Sequence, residues 1–383
     1  MDDAYGSRVI NPMELYHNQV TREQGPFSLR MSHRSWGILF IQHNIQAPCT
    51  VLDFPTRERF TREIREHRYD VIGISGIVVN VGKVREMCRL VREHAPGATL
   101  VVGGHVTAIP GIDHLVDADH IVRGEGIAWF GRLLGEPPDA PIEHPVLPSS
   151  FGFRLMGLRA PRGGGDPSAT IIPSVGCPMG CNFCTTSAFF GGKGNFVNFY
   201  EDGAGLYRVM CQAEQRLGVQ SFFLMDENFL LYRKRAMEFL ECMKAGGKPW
   251  SLFVFSSPNA LAKYTSRELV ELGITWVRLG LESAQSGYAK LNGTDTLALT
   301  RELREHGILV HGSSIIGMPH HTLENIGGEI EHEMGGLKRL ASRAAGRVLL
   351  WSARRDARRF PRGRPLEPPT FMERRNWPEA IPG

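Results

Sequence analysis

No stretch of the 383 residues approaches the roughly 18 consecutive apolar residues that a membrane span requires. The start, Met1 to Arg8, has no basic segment followed by an apolar one. A protein without a membrane span and located in the cytoplasm is therefore expected. Cysteine is scarce, at seven residues, and no second Cys-x2-Cys or His-x3-His follows the single cluster, so a structural zinc site lacks an evident fourth ligand. A basic stripe with interleaved aromatics is also missing. The formal charge of +4 misleads, because residues 338–383 hold eleven arginines and one lysine against four acids, a balance of +8 that leaves −4 for residues 1–337. Nucleic acid is thus not an expected partner. With 42% hydrophobic residues, the chain can build two or three domains with real cores.

What is present begins with Cys177, Cys181 and Cys184, a Cys-x3-Cys-x2-Cys directly after an apolar, strand-like stretch. Three thiolates on one short loop can hold three irons of a four-iron cluster, which leaves the fourth iron open to a bidentate ligand. A structural zinc loop and three unrelated core cysteines are the alternatives. Cys49, Cys88, Cys211 and Cys242 fall singly in strand-like or helix-like runs and read as packing residues.

From residue 8 to about 135, short β-branched runs alternate with helical periodicity. The expected strands are Arg8–Asn11, Thr50–Phe54, Val71–Ser75, Thr99–Val102 and His120–Val122, a five-stranded parallel α/β domain. In such sheets ligands bind beyond the carboxyl ends of the strands. The turns there are Asn11-Pro12, Ser75-Gly76-Ile77-Val78, Gly103-Gly104-His105 and Arg123-Gly124-Glu125-Gly126, whose small residues let a flat ligand approach the backbone. Residues 136–168 are rich in Pro and Gly and read as a linker. Beyond it, Ala169–Val175, Ser221–Met225, Leu252–Ser256, Trp276–Leu281 and Val310–Ile316 read as strands with helices between, most of a six-unit partial barrel spanning residues 169–335. Near Gly335-Gly336 the amphipathic pattern stops, and residues 336–383 are rich in Arg and Pro. A frameshift, a truncation or a disordered basic tail is expected there.

The cysteine triplet, with Phe183 before its third member, resembles the cluster loop of the radical S-adenosylmethionine (SAM) enzymes. The glycine turns of residues 8–135 resemble the cobalamin-binding domain that precedes many such barrels. The resemblance implies a Rossmann-like cobalamin-binding domain (residues 1–135) followed by a (β/α)6-type partial TIM barrel, incomplete at its carboxyl end. It implies a [4Fe-4S] cluster on Cys177, Cys181 and Cys184, with SAM chelating the open iron and yielding a 5′-deoxyadenosyl radical. It also implies SAM contacts at Phe183, Asp226 and Glu227 (the amine), Ser257, Glu282 and Ser283 (the ribose), and Ile315 and Gly317 (the adenine). Cobalamin would then contact Asn11, Pro12, Ser75, Gly76, Val78, Gly103, Gly104, His105, Gly124, Glu125 and Gly126. No Asp-x-His-x-x-Gly occurs in the chain. The corrinoid is thus expected to lack a protein axial nitrogen, with His105 along the nucleotide tail or simply a turn histidine. A degenerate domain that binds no corrinoid is the alternative.

The implied activity is methyl transfer to an unactivated carbon of a small-molecule substrate, with flavodoxin or ferredoxin as electron donor. A radical SAM cyclase, ring-rearranging or oxidative enzyme is one alternative, and a noncatalytic remnant that still binds cofactor is another.

Overall fold

A computed structural model describes residues 27–31, 34–137, 140–149, 151–155, 158–159, 168–281 and 293–313, with isolated positions and short runs between 291 and 328. Asn11, Pro12, Glu282, Ser283, Gly317 and the whole of 336–383 lie outside the described residues.

The chain begins its described part with strand β1 (Phe27–Met31) and helices α1 (Trp36–Asn44) and α2 (Arg57–Glu66). An α/β unit follows, with β2 (Val71–Ser75), α3 (Val81–His94), β3 (Thr99–Gly103), β4 (His120–Ile121) and α4 (Ile127–Leu133). Strands β2, β3 and β4 are parallel neighbours in that order. The periodicity of α3 puts Val84, Cys88 and Val91 into the core with Phe60 and Ile64 of α2.

Thr50–Phe54 is not a strand. Pro48 and Pro55 bracket it and supply no ladder N–H, Phe54 sits at φ +49°, and the Asp53 carboxylate accepts from the Ser35 backbone instead. Three of the five expected strands are therefore seen among the described residues.

The Pro/Gly-rich stretch is more structured than its composition suggests. It carries β5 (Pro148–Ser149), β6 (Phe151–Leu155) and β7 (Leu158–Arg159). β6 pairs antiparallel with β1, from Phe27 opposite Leu155 to Met31 opposite Phe151. A partner more than a hundred residues away leaves no local pattern to read.

The second unit contains β8 (Ser168–Ile171), β9 (Ser174–Gly176), α5 (Thr185–Phe189), β10 (Phe196–Asn198), α6 (Gly203–Leu217), β11 (Ser221–Leu224), α7 (Arg233–Ala245) and β12 (Ser251–Ser256). It continues with α8 (Pro258–Leu261), α9 (Ser266–Glu271), β13 (Ile274–Gly280), α10 (Thr296–Glu305) and β14 (Leu309–Ser313). Among the described residues β8, β11, β12, β13 and β14 run parallel side by side, and β5 closes the β8 edge antiparallel. This is an open, partial barrel. The expected strand Ala169–Val175 divides in two, since Pro173 interrupts it and β9 turns away to pair with β10.

Alternation along the strands sends Phe222, Leu224, Leu252, Val254, Val277 and Leu279 toward the helices, where Trp250, Phe239 and Met210 complete a dry core. The opposite, concave face carries Phe223, Phe253, Phe255 and Trp276 in mutual ring contact.

The two units are clamped by His144. Its Nδ1 donates to the Pro145 carbonyl at 2.9 Å, and its Nε2 accepts from the Ile172 backbone at 2.9 Å. Its ring packs on Phe40 and Trp36 of α1. Burial holds this imidazole neutral, with its pKa down at about 4.

Candidate functional site

β9 delivers the chain into the cysteine loop, and the loop is shaped by glycine. Gly176 and Gly180 have φ of +86° and +68°. A Cβ on Gly180 would collide with Lys193. The Cys184 backbone donates to the Cys181 carbonyl at 3.1 Å, and Gly194 donates to Pro178 at 3.1 Å, so the Gly191–Gly194 run closes back on the loop. None of the three cysteines is in a disulfide, and all three are half-buried.

Burial is the main reason that the Cys177 thiol rises to about 11. The Met179 backbone opposes the rise, and Cys181, Glu227 and Cys184 add to it as like charges. The three thiols and Glu227 thus share one electrostatic neighbourhood. Among the described residues no three His, Cys, Asp or Glu side chains form a group that could hold a metal ion. Three thiolates on one loop can each take a separate iron of a four-iron cluster. The Tyr232 hydroxyl is buried with no partner among the described residues, and Cys177 is among the charges that act on it. It is a donor left for a group bound at the loop.

Asp226, expected to meet the SAM amine, is instead committed to the fold. Its Oδ2 accepts from Ser174 Oγ at 2.7 Å and from Arg235 Nη2 at 2.6 Å, and its Oδ1 accepts from the Asn228 backbone at 3.0 Å. The side chains of both Asp226 and Arg235 are at most 3% exposed. The physical reason is that a guanidinium this deep requires a neutralising carboxylate, and Asp226 provides it. Ser257 is likewise buried, accepting from Asn228 Nδ2 at 2.8 Å and donating to Asn259 Oδ1 at 2.6 Å.

Glu227 is the acid of the pair that faces out. Its side chain is exposed, and desolvation by the surrounding chain, with Asp226 second, pushes its pKa up to about 7. It lies within hydrogen-bonding reach of Thr186 on α5. Phe183 is half-buried, and Ile315 is 41% exposed.

The turns of the first unit resolve into distinct roles. A Cβ on Gly76 would meet Val84 at 2.6 Å, and one on Gly104 (φ +80°) would meet the Gly76 carbonyl at 2.6 Å. Gly76 therefore lets the turn after β2 pack on α3, and Gly104 lets the turn after β3 pack on the turn after β2. Gly76 donates to the Gly103 carbonyl at 3.1 Å. Gly126 has Ile41 against it, whereas Gly124 (φ +84°) opens onto free space. Glu125 caps α4, accepting from the Ile127 backbone and, at 3.0 Å, from Ala128. Ser75 is exposed and Val78 half-buried, beside Ile77 and Val79, which are 46% and 75% exposed. That apolar rim and the gap at Gly124 fit the edge of a corrin.

His105 joins the two halves. Its ring stacks on Phe189 of α5 with centroids 4.7 Å apart, and its Nε2 lies 3.4 Å from Thr186 Oγ1. Burial lowers its pKa. Thr186 and Phe189 were not legible as site residues. Their only signal is position, two and five residues after Cys184.

Among the described residues no helix is long and apolar enough to cross a membrane. The model for the B12 binding domain matches residues 40–134, and that for the radical SAM superfamily matches residues 171–331. An uncharacterized methyltransferase of Pyrococcus horikoshii is 22% identical over 353 residues, covering 83% of this chain and 75% of the relative. The bacteriochlorophyllide d C-8(2)-methyltransferase of Chlorobaculum tepidum is 25% identical, covering 67% of this chain and 61% of its own length. The solved structure of the radical SAM methyltransferase TsrM from Kitasatospora setae, with cobalamin and a [4Fe-4S] cluster bound, matches with a TM-score of 0.53 at 18% identity. That match covers 73% of this chain and 64% of TsrM, a likeness of fold. The chain thus spans less than two thirds of several proteins that it matches. From the two domain families and the cysteine loop between their facing ends, the chain belongs to the radical SAM superfamily, as an enzyme of [4Fe-4S] cluster and SAM with a cobalamin-binding domain ahead of its barrel.

Proposed function

We propose that the chain is a cobalamin-dependent methyltransferase that acts on an unactivated carbon of a small molecule. The observation that carries this reading is the contact of His105 with Thr186 and Phe189. It brings the carboxyl ends of β2 and β3, the cobalamin side, against the helix that follows the cluster cysteines. A carbon held between these two sides can face both cofactors. The methyltransferases of Pyrococcus horikoshii and Chlorobaculum tepidum support the same class of reaction.

When bound, the cluster would supply an electron that makes SAM a radical source, and methylcobalamin would supply a methyl group. The chain's own residues divide the remaining work. Cys177, Cys181 and Cys184 hold the cluster. Glu227 offers a carboxyl to the SAM amine, while Asp226 and Ser174 brace the strand that enters the loop. The residues proposed for ribose, Glu282 and Ser283, and for adenine, Ile315 and Gly317, follow β13 and β14 in sequence. The proposed domain limits are 1–135, 136–168, 169–335 and 336–383. Flavodoxin or ferredoxin is the proposed electron donor, in the reducing cytoplasm.

The test is anaerobic reconstitution with iron, sulfide and cobalamin, followed by methyl-labelled SAM and a panel of small molecules. Label in product together with 5′-deoxyadenosine supports the proposal. SAM cleavage with an unmethylated, rearranged product overturns it in favour of the cyclase alternative.

A further inference from the structure

The concave face of the barrel sheet carries side chains that neither cofactor motif uses. Cross-strand register arranges them in levels. Phe223, Phe253 and Trp276 form one level, and Phe255, Arg278 and His311 form the next toward the carboxyl ends. The lower level is a flat aromatic floor, with Phe223 and Phe253 stacked at 4.7 Å and Phe253 and Trp276 at 4.9 Å. The third level is small, Gly280 beside Ser313, which leaves room between Arg278 and the strand ends.

Openness increases across the face. Phe223 is buried, Phe253, Phe255 and Trp276 are half-buried, and Arg278 and His311 are exposed. The Arg278 guanidinium lies 5.4 Å from the Phe255 ring centroid, and no carboxylate among the described residues pairs with it. An arginine resting on an aromatic ring keeps its in-plane N–H fork turned outward, the geometry that receives a carboxylate. The chain's own carboxyl-terminal residues are poor occupants, because residues 338–383 carry a balance of +8 and would meet Arg278 with like charge.

We propose that this face is the substrate pocket and takes a planar apolar molecule bearing a carboxylate, the ring lying against Phe255 and Trp276 and the carboxylate on Arg278. Naming the occupant as substrate rests on the function proposed above. The same carboxylate chemistry could come from SAM itself, so the test separates the two sources.

The experiment is anaerobic equilibrium dialysis of the full chain, reconstituted with its cluster, against 2-naphthoate, its neutral amide, and SAM. 2-Naphthoate should bind at least about tenfold tighter than the amide. Arg278→Gln should erase that preference, Arg278→Lys should keep part of it, and SAM affinity should stay within about twofold in both. Trp276→Leu should weaken acid and amide alike, and circular dichroism checks that each variant is folded. Equal binding of acid and amide, no binding of either, or a preference that survives in Arg278→Gln overturns the proposal. Loss of SAM binding in Arg278→Gln with 2-naphthoate retained also overturns it, by assigning the anion to SAM. Dialysis reads no methyl transfer, so the pocket and the methyltransferase reading stand or fall separately.

Discussion

Replacing Asp226 by alanine removes the only carboxylate within reach of the buried Arg235 guanidinium among the described residues, across a 2.6 Å ion pair whose side chains are 1% and 3% exposed. Breaking such a pair from one side costs about 3–5 kcal/mol, because the remaining charge has neither water nor partner. Ser174 Oγ and the Asn228 N–H lose their acceptor at the same time, and each unmet buried donor adds about 1–3 kcal/mol unless the site relaxes. With a urea slope of about 3 kcal/mol/M, the unfolding midpoint should fall by about 1–2 M, followed by circular dichroism. The double variant Asp226→Ala/Arg235→Leu should recover a good part of the loss, since it removes both charges. The single variant should also assemble less cluster, because Ser174 anchors the strand three residues before Cys177. A single variant within about 1 kcal/mol of the parent, or a double variant no more stable than the single, would refute the reasoning.

Alanine at Cys177, Cys181 or Cys184 should abolish the four-iron absorbance, whereas Cys88→Ala should leave it intact and cost about 1–2 kcal/mol of packing; retained absorbance in any of the first three overturns the ligand assignment. His144 has a depressed folded pKa, so the unfolded chain takes up the proton first as pH falls. Its contribution, about 3 kcal/mol, is therefore present above pH 6.5 and lost between 6.5 and about 4; His144→Gln should flatten urea midpoints across that window, and an unchanged slope refutes it. Glu125→Ala should destabilise by about 1 kcal/mol through loss of the α4 cap while leaving corrinoid affinity unchanged; a spectrophotometric titration showing weaker corrinoid binding would restore the cofactor role. Cob(II)alamin bound to the chain should show no axial nitrogen splitting in its electron paramagnetic resonance; splitting that disappears in His105→Ala would make that histidine the axial ligand.

The α/β plan, the order of the two units and the loop of three cysteines are legible from the chain alone, because each is written in neighbouring residues. Helical periodicity in Val84, Cys88 and Val91 is local, and so is a loop that carries three thiols within eight residues. The tertiary structure decided whatever depends on a partner far along the chain. Asp226 and Glu227 are adjacent acids with equal claims in sequence, yet the turn after β11 sends one to Arg235 inside the core and leaves the other exposed. That Gly76 packs against Val84 of α3, and Gly104 against the Gly76 carbonyl, is visible only once the turns are folded together. β1 with β6, His144 with Ile172, and His105 with Thr186 join residues 28 or more apart, so no local pattern announces them. The aromatic floor beneath Arg278 likewise arises only when separate strands are laid in register, since cross-strand neighbours are set by hydrogen-bond pairing and not by position in the chain.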